Sequence, residues 1–431
     1  MSTIEKYLIE KGFIYPSSSI YDKLENSWDY GHIGVLLKNN IKNQWVDFFV
    51  TKGKDVFLYE GNLLTSREVW EASGHIKNFE KTLVECKSCN VRYELEGKLE
   101  KCQKCNSSDF SEPKKFQMIF KSDKYYLRPE TAQTIFANIK LIALNSKVNL
   151  PFSVAQSGKA FRNEVSPEKT IFRTKEFEQL EFEEFVHPED AQSTLERQVE
   201  SIRKFLTEVF EFSPSSFSFE SVPKEELPHY SLQNCDLHYN FEFGKEELWG
   251  IANRGDFDLK SHQEYSGEKL HFQVEENSKT LVPFVVEHSV GLNRLMLAVI
   301  KEKLIDIDGK KWKTLSLPVS LSPYKFAVLP LTKEQLNCSY KLVEYLKSFG
   351  LSVILSHKGS IGKRYRKQDE IGTFYCLTLD FEGGSWDSSA FSVTLRIRDN
   401  GKQVRVNKNE LKEYILSCLS VSKELLRQEE I

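Results

Sequence analysis

The stretch GKAFRNEVSPEKTIFRTKEFEQLEFEEF, residues 158–185, sets the narrowest limits on the fold. It is too polar for a core and too aromatic for a solvated loop. Its punctuation predicts two strands joined by a charged, proline-containing loop at 165–170. Strand side chains alternate between two faces. Counting from Arg173, one face carries Arg173, Lys175, Phe177, Gln179, Glu181 and Glu183, and the other Thr174, Glu176, Glu178, Leu180 and Phe182. In the first strand Arg162 and Glu164 share a face. A site between two such strands presents guanidiniums, an aromatic ring and carboxylates together, which suits a nucleoside triphosphate beside a small zwitterion. Guanidinium forks grip phosphate oxygens and stay charged when desolvated. Phe177 can stack on a purine, Glu164 can accept from an exocyclic amine, and Glu181 can hold an ammonium group. A solvated edge hairpin laced with surface ion pairs has the same composition.

The rest of the chain narrows the class. Its 431 residues allow two or three domains, and 40% hydrophobic with 28% charged residues is ordinary soluble composition. A formal net charge of −3 gives no global attraction for nucleic acid, so any such binding needs local basic patches. No apolar run approaches a membrane span, and MSTIEKYLIEKGFIYP lacks the apolar centre and cleavage site of a signal peptide, so a cytoplasmic protein is expected. Four of the eight cysteines are clustered as Cys86-x2-Cys89-x12-Cys102-x2-Cys105. That spacing predicts a zinc knuckle in which each pair takes one side of a tetrahedron, and four thiolates make the ion structural. Cys235, Cys338, Cys376 and Cys418 are scattered, three of them in apolar surroundings that suit small core residues.

Periodicity predicts helices over 33–50, 129–144 and 188–211, and a strand running into a helix at 282–300. Residues 213–240, rich in Ser and Pro, read as an insertion, and 309–323 as a domain linker. Beyond the linker, KFAVLPL, a helix to Gly350, LSVILS, a basic segment at 357–370, FYCLTLDF, FSVTLRIR, KQVRV and a final amphipathic helix alternate as in a compact α/β domain.

FRNE followed by R-x-x-x-F (Phe161–Glu164, Arg173–Phe177) resembles motif 2 of class II aminoacyl-tRNA synthetases, and SVGLNRLMLAVI resembles motif 3. LRPETAQTIFAN, GKAFRNE, FRTKEFEQLE, ELWGIANR and RKQDEIG, in that order between about residue 10 and about residue 407, together resemble the homodimeric type of glycyl-tRNA synthetase. The resemblance implies an α+β fold. A class II antiparallel-sheet catalytic core with helices would span 1–315, carrying a zinc-knuckle insertion at 82–112 and an insertion region at 186–245. An α/β anticodon-binding domain would span 322–431.

It also implies roles. Arg162 would contact the α-phosphate of ATP, Arg173 the terminal phosphates of a bent nucleotide, and Arg294 the γ-phosphate and the adenine face opposite Phe177; these three arginines are the implied catalytic residues. The implied ATP site adds Asn163, Glu164, Phe172, Thr174, Lys175, Glu176, Glu247, Leu248, Gly291, Leu292 and Asn293, with Glu247 helping to hold Mg²⁺. Glycine would be recognised at its ammonium by Glu130, Glu181, Glu287 and Ser289, with Arg92, Phe177, Glu178, Gln179, Leu180, His288, Val290 and Gly291 around it. A pocket without space for a methyl group rejects alanine by overlap and needs no editing site. The implied reaction forms glycyl-adenylate and pyrophosphate, then passes glycine to the terminal ribose of tRNA(Gly). Both steps need alignment and charge neutralisation rather than a covalent nucleophile.

The helix after WDYGHIG resembles motif 1, a homodimer interface. In the C-terminal part, His357, Lys358, Lys363, Arg364, Arg366, Lys367, Arg396, Arg398, Lys402, Arg405, Lys408 and Lys412 supply positive charge for RNA. His32 and His288 stand where the family has proline, Thr134 where it has glycine, Gly255 where it has threonine and Phe374 where it has proline. Another synthetase of the same subclass and a non-catalytic paralogue are the rival readings; such paralogues lose the motif arginines, and Arg162, Arg173 and Arg294 are all present.

Overall fold

Alternation along 152–186 is realised as an antiparallel pair, β2 (Phe152–Phe161) against β3 (Glu176–Val186), with Glu176 opposite Phe161 and Phe185 opposite Phe152. The computed structural model describes residues 3–21, 27–95, 97, 99–164, 169–273 and 280–419, with side chains to 416. Most of the connecting loop, 165–168, therefore lies outside the described residues, as do 420–431 and the side chain of Cys418.

This pair sits in a seven-stranded sheet with β1 (Val56–Tyr59), β4 (Phe217–Ser221), β5 (Gln233–Phe241), β6 (Gly244–Gly255) and β7 (Phe284–Gly291). The spatial order is β4-β5-β6-β7-β3-β2-β1, antiparallel except for the parallel edge pair β1·β2. Residues 213–240 are therefore not an appended insertion, because β4 and β5 are strands of the main sheet. Their alternation is regular, Phe217, Phe219, Leu237, Tyr239 and Phe241 being separated by Ser218, Glu220, Asp236, His238 and Asn240, but the Ser- and Pro-rich residues 213–216 and 221–231 around them give the segment a loop-like composition.

One face of the sheet is dry. Helices α2 (His32–Val46), α3 (Ala191–Lys204) and α4 (Leu292–Lys303) cover it, packing Leu37, Trp45, Leu195, Ile202, Met296 and Val299 against Leu180, Phe182, Trp249 and Val290. Both α2 and α3 loosen at their ends into π turns, Asp47–Thr51 and Phe205–Val209. The other face holds a smaller core of Phe136, Phe152, Val154, Phe185, Leu259 and Val285 at one end and an open cleft at the other.

The helix expected over 129–144 is broken in two, Ala132–Phe136 and Ile139–Ser146. Asn138 sits at the break, its side chain donating to Tyr59 Oη at 2.9 Å and Thr134 O at 3.2 Å. Pro129 and Glu130 precede the first piece instead of opening it. Arg128 fixes this approach: it is buried, donates to Lys159 O, Gly61 O and Gln156 Oε1, and crosses β2 at Gly158, where a Cβ would lie 2.1 Å from its guanidinium.

The cysteine-bearing segment is a separate small sheet in which Glu80–Glu85 lies between Arg92–Glu94 and Lys114–Gln117. The C-terminal part is a five-stranded mixed sheet of β8 (Phe326–Pro330), β9 (Val353–Leu355), β10 (Tyr375–Leu379), β11 (Ser392–Ile397) and β12 (Gln403–Asn407). Its order is β9-β8-β10-β11-β12, with β8 parallel to β9 and β10 and the rest antiparallel. Helices α5 (Leu336–Lys347), α6 (Ile361–Glu370) and α7 (Lys408–Leu419) accompany it. Cys376 is buried in this part, whereas Cys235 and Cys338 are half-buried.

The basic segment is thus largely the helix α6, and the positive charge divides. Arg364, Arg396 and Arg398 are buried and structural, Arg364 on the carbonyls of Pro330 and Ser356, Arg396 on Asp369, and Arg398 on Asp399. His357, Lys358, Lys363, Lys367, Lys402 and Lys412 remain exposed. The linker is packed: Leu315, Leu317 and Leu321 belong to the core under α2, and Asn40 donates to the carbonyls of Leu321 and Ser322. The helix α1 (Thr3–Glu10) lies between the two parts. Tyr7 Oη donates to Glu370 O, Lys11 pairs with the Glu370 carboxylate at 2.7 Å, and Thr170 Oγ1 donates to Glu5 at 3.4 Å.

Candidate active site

Rows of side chains across the sheet build the cleft. On β3 the odd-numbered residues face it. Glu181 lies opposite Gln156 of β2 and Ser289 of β7, and Ser289 lies opposite Gly250 of β6. One row inward are Val154, Glu183, Glu287 and Ala252. Arg254 follows Gly250 and Ala252 on the same face of β6 and so points into the cleft, just where β6 and β7 shift register between Asn253 and Gly255. The resulting space is ≈ 500 Å³.

Its outer end is cationic and aromatic. Arg162 donates Nε to Pro129 O at 3.0 Å, and its guanidinium stands 5.3 Å from the rings of both Phe79 and Phe177. Arg294, in the first turn of α4, donates to Phe172 O at 3.2 Å and Glu247 O at 3.1 Å and lies 4.3 Å over the Phe172 ring. Burial, and the nearby charges of Arg162 and Arg173, push its pKa down, against Glu247, which pulls it up. Three guanidiniums held this close favour a polyanion between them. Asp236 and Glu247 line the same end; burial and the Glu247 charge push Asp236 up to about 6.

The inner end is acidic and buried. The Glu130 carboxylate accepts from the N–H groups of Ala132 (2.7 Å) and Gln133 (3.2 Å) at a helix start, and Glu181 accepts from Thr131 Oγ1 at 2.6 Å. Arg254 is their neighbour, bonded to both Asp258 oxygens (2.6 and 2.9 Å) and to Glu287 (2.9 Å), with its face 3.9 Å from the Tyr230 ring. Burial pushes Glu130 up to about 7. Burial, reinforced by Glu287 and Glu130, pushes Glu181 up to about 8. Burial also raises Glu287 against the pull of Arg254, whereas Asp258 ends below the usual carboxylate range because Arg254 and Gln133 outweigh its burial. A site with more acids than cations is arranged to receive a cation.

Of the residues expected here, Glu130, Arg162, Glu164, Phe172, Arg173, Thr174, Phe177, Gln179, Glu181, Glu247, Leu248, Glu287, Ser289, Gly291, Asn293 and Arg294 line the cleft. Others are elsewhere. Glu178 points to the opposite face, bonded to Lys38 at 2.7 Å and Ser157 at 3.2 Å. Leu180, Val290 and Leu292 are in the helix-covered core. His288 is there too, stacked on Phe182 at 4.8 Å and accepting from Trp249 Nε1 at 3.2 Å, so the residue standing in place of proline faces away from the cleft. Lys175 and Asn163 are not among the lining residues, and Glu176 is exposed and paired with Lys159. Arg92 lies in the cysteine-bearing sheet, half exposed and paired with Glu85. Sequence reasoning missed His75, Phe79, Tyr230, Asp236 and Arg254. Only Arg254 left a signal, an arginine ending the apolar run ELWGIAN.

The four clustered cysteines converge. Cys86 and Cys105 sulfurs are 3.5 Å apart, as are those of Cys89 and Cys102, and all four lie within 4.8 Å of one another. The two halves match: Asn90 and Asn106, each just after the second cysteine of a pair, adopt positive φ (57° and 58°) and donate N–H to the carbonyls of Cys86 and Cys102 at 2.8 Å. A tetrahedral ion about 2.3 Å from each sulfur spaces them about 3.8 Å apart, which fits.

An antiparallel sheet carrying two cleft arginines at a strand pair and a third at a strand-to-helix turn defines a class II tRNA synthetase core. Residues 115–303 match the family "tRNA synthetase class II core domain (G, H, P, S and T)", and 325–417 match "Anticodon binding domain". The chain is 40% identical to the glycine–tRNA ligase of Malacoplasma penetrans over 94% of each chain. It is also 40% identical to the glycine–tRNA ligases of Mycoplasma genitalium (95% of this chain, 97% of the relative) and Mycoplasmopsis synoviae (96% and 99%). The protein belongs to the glycine–tRNA ligase family.

Proposed function

We propose that the protein activates glycine with ATP and transfers it to the 3′ end of tRNA(Gly). The observation that carries this reading is the polarity of one cleft, three arginines at the outer end and a buried surplus of carboxylates at the inner end. Glu130, Glu181, Glu287 and Ser289 hold the glycine ammonium. Phe177 stacks on adenine, and Glu164 accepts from its amine. Arg162 neutralises charge that develops on the α-phosphate as the glycine carboxylate attacks in line, while Arg173 and Arg294 hold the terminal phosphates. No protein nucleophile is required, and the groups act by alignment. Glu247, half exposed beside Asp236, suits a Mg²⁺ that neutralises phosphate charge.

The four cysteines suit a structural Zn²⁺ that folds the segment 82–112. The catalytic unit spans 1–315 and an anticodon-binding unit 322–431, whose exposed His357, Lys358, Lys363, Lys367, Lys402 and Lys412 meet RNA phosphates. The protein acts as a homodimer through α2 and the edge beside β1, where Leu58, Leu63 and Leu64 are exposed. Among the described residues no helix is long and apolar enough to cross a membrane, in keeping with work in the cytoplasm.

Amino-acid-dependent pyrophosphate–ATP exchange tests the reading. Exchange with glycine and none with alanine is the expected result. Exchange driven by another amino acid transfers the reading to a sister synthetase, and none at all points to a non-catalytic paralogue. Metal analysis of the purified chain is expected to return about one zinc per chain, and a metal-free native protein removes the knuckle.

A further inference from the structure

Glu183 sits one row inward of Glu181 on the cleft side of β3, and the roles above leave it unused. Across the ladder it faces Glu287 on one side and Val154 on the other. It is fully buried, and neither carboxyl oxygen meets a donor among the described residues, the neighbouring Glu287 carboxylate being able to bond it only if one of the two carries a proton. One oxygen from each of Glu181, Glu183 and Glu287 lies within 4.8 Å of the others. The next row inward is apolar, Phe152, Phe185 and Val285. The charged groups that face Glu183 are Glu181 on its own strand, Glu287 on β7, Arg254 on β6 and Asp258 on the helix Phe257–Ser266. Arg254, the one cation among them, is already divided between Asp258 and Glu287.

An ionised carboxylate in this position has no donor, no water-facing side and two like charges beside it. Each of those conditions opposes ionisation, and like charges directly opposed across a ladder destabilise it. A neutral carboxyl relieves all three, because it carries one O–H that a neighbouring carboxylate can accept. Glu287 has an oxygen for it, since Arg254 engages only Oε2.

We propose that Glu183 is the protonated floor of the amine pocket, a positioning residue whose O–H donates to Glu287 and aims that carboxylate at the substrate ammonium. The proposal rests on the reading that Glu181 and Glu287 hold the glycine amine. Glu183 adds no charge to the site; it sets the direction of a charge that Arg254 holds from the other side. The pocket then presents fixed carboxylates to a small ammonium instead of a mobile cluster sharing protons.

The test compares the full-length wild type with Glu183→Gln and Glu183→Leu in glycine-dependent exchange, with infrared spectra of all three at neutral pH. Glutamine keeps a neutral donor of the same shape, so the KM for glycine is expected to stay within about threefold of wild type, while leucine raises it about tenfold or more with the KM for ATP unchanged, the range for losing one hydrogen bond to a charged group. The infrared band of a protonated carboxyl carbonyl is expected to be lost in Glu183→Gln. A glutamine variant as impaired as the leucine one, a leucine variant with wild-type KM for glycine, or no lost band overturns the proposal; the first would mean an ionised Glu183 or a cation held by the three acids. If Glu183→Leu does not fold, the glutamine variant and the band decide. If the wild type shows no exchange with glycine, it is the glycine reading that falls, and the band still decides the protonation of Glu183.

Discussion

Two clusters of buried charge sit on either side of the linker, and they follow opposite rules. In the C-terminal domain the buried acids Asp369 and Glu370 have their cations. Asp369 receives both forks of Arg396 at 2.8 and 3.0 Å and Lys310 at 2.9 Å, and Arg398 holds Asp399 while donating to the carbonyls of Gly372 and Leu317. On the cleft floor Glu130, Glu181, Glu183, Glu287 and Asp258 gather around one guanidinium that bonds only two of them. The first arrangement is complete and serves the fold. The second is left short of positive charge, and a ligand of the right sign completes it. Buried ion pairs alone do not mark a site; an unbalanced set does.

Removing a charge should therefore have opposite consequences in the two places. The largest effect is expected from Glu181→Gln, with glycine-dependent exchange falling about a thousandfold, as for loss of a buried charged partner, and an unchanged or higher melting temperature because the neutral amide needs no proton uptake to be buried. A large fall in melting temperature would erase the contrast. Asp369→Asn should do the reverse. Stranding Arg396 and Lys310 costs about 3–5 kcal/mol, read by urea unfolding, while exchange by the folded fraction is retained.

The third prediction uses pH. Glu130 and Glu181 have folded-state values of about 7 and about 8, above the ordinary 4.5. Their protons favour the folded ligand-free protein below about pH 4.5, and that contribution is lost as pH rises through 7 to 8. Asp399, drawn below its ordinary value by Arg398 in spite of burial, behaves in the opposite sense, stabilising at higher pH and losing its contribution in acid. Melting with and without glycine across this range should show a glycine-induced gain that grows with pH, because the ammonium needs ionised acids. A pH-independent gain would mean that the cleft acids are already ionised when empty. The smallest effect on the cleft is expected from Glu178→Gln, which faces Lys38 on the far side of β3; it should leave the KM for glycine within about twofold and cost about 1–3 kcal/mol of stability, because the largely buried Lys38 loses a charged partner. A large rise in that KM would return Glu178 to the pocket.

Glu178 also explains what the sequence could disclose. Strict alternation along 173–183 already separates Glu178 and Leu180 from Glu181, whereas a resemblance transfers a motif as an unbroken run and carries both faces with it. His288 and Val290 follow the same logic on β7, where Glu287 and Ser289 take the cleft side. The cysteine spacing was legible because ligand geometry is local. The arginines of the C-terminal domain were not, since charge alone does not tell whether a side chain leaves the surface or crosses it; Arg396 and Lys402 look alike in sequence, yet one is buried on Asp369 and the other exposed. Arg254 falls on the cleft face by the same alternation as Gly250 and Ala252, and it was missed because no role was attached to it, not because its direction was hidden. The strands β4 and β5 do carry a period-two signal, Phe217 and Phe219 in one and Leu237, Tyr239 and Phe241 in the other, but the Ser- and Pro-rich residues around them give the segment the composition of a loop.

The helix α1 has a consequence for how the two parts move. It grips the end of α6 through Tyr7 and Lys11, and at Glu5 it meets Thr170, three residues ahead of Arg173. Thr170 itself adopts a φ of 61°, unfavourable for a β-branched residue, so that turn has little slack. A shift of α6 when its exposed lysines engage a polyanion must break these bonds or drag α1 along. The first eight-residue helix of the chain is thus a tie rod between the far domain and the arginine-bearing turn, bypassing the covalent connection altogether.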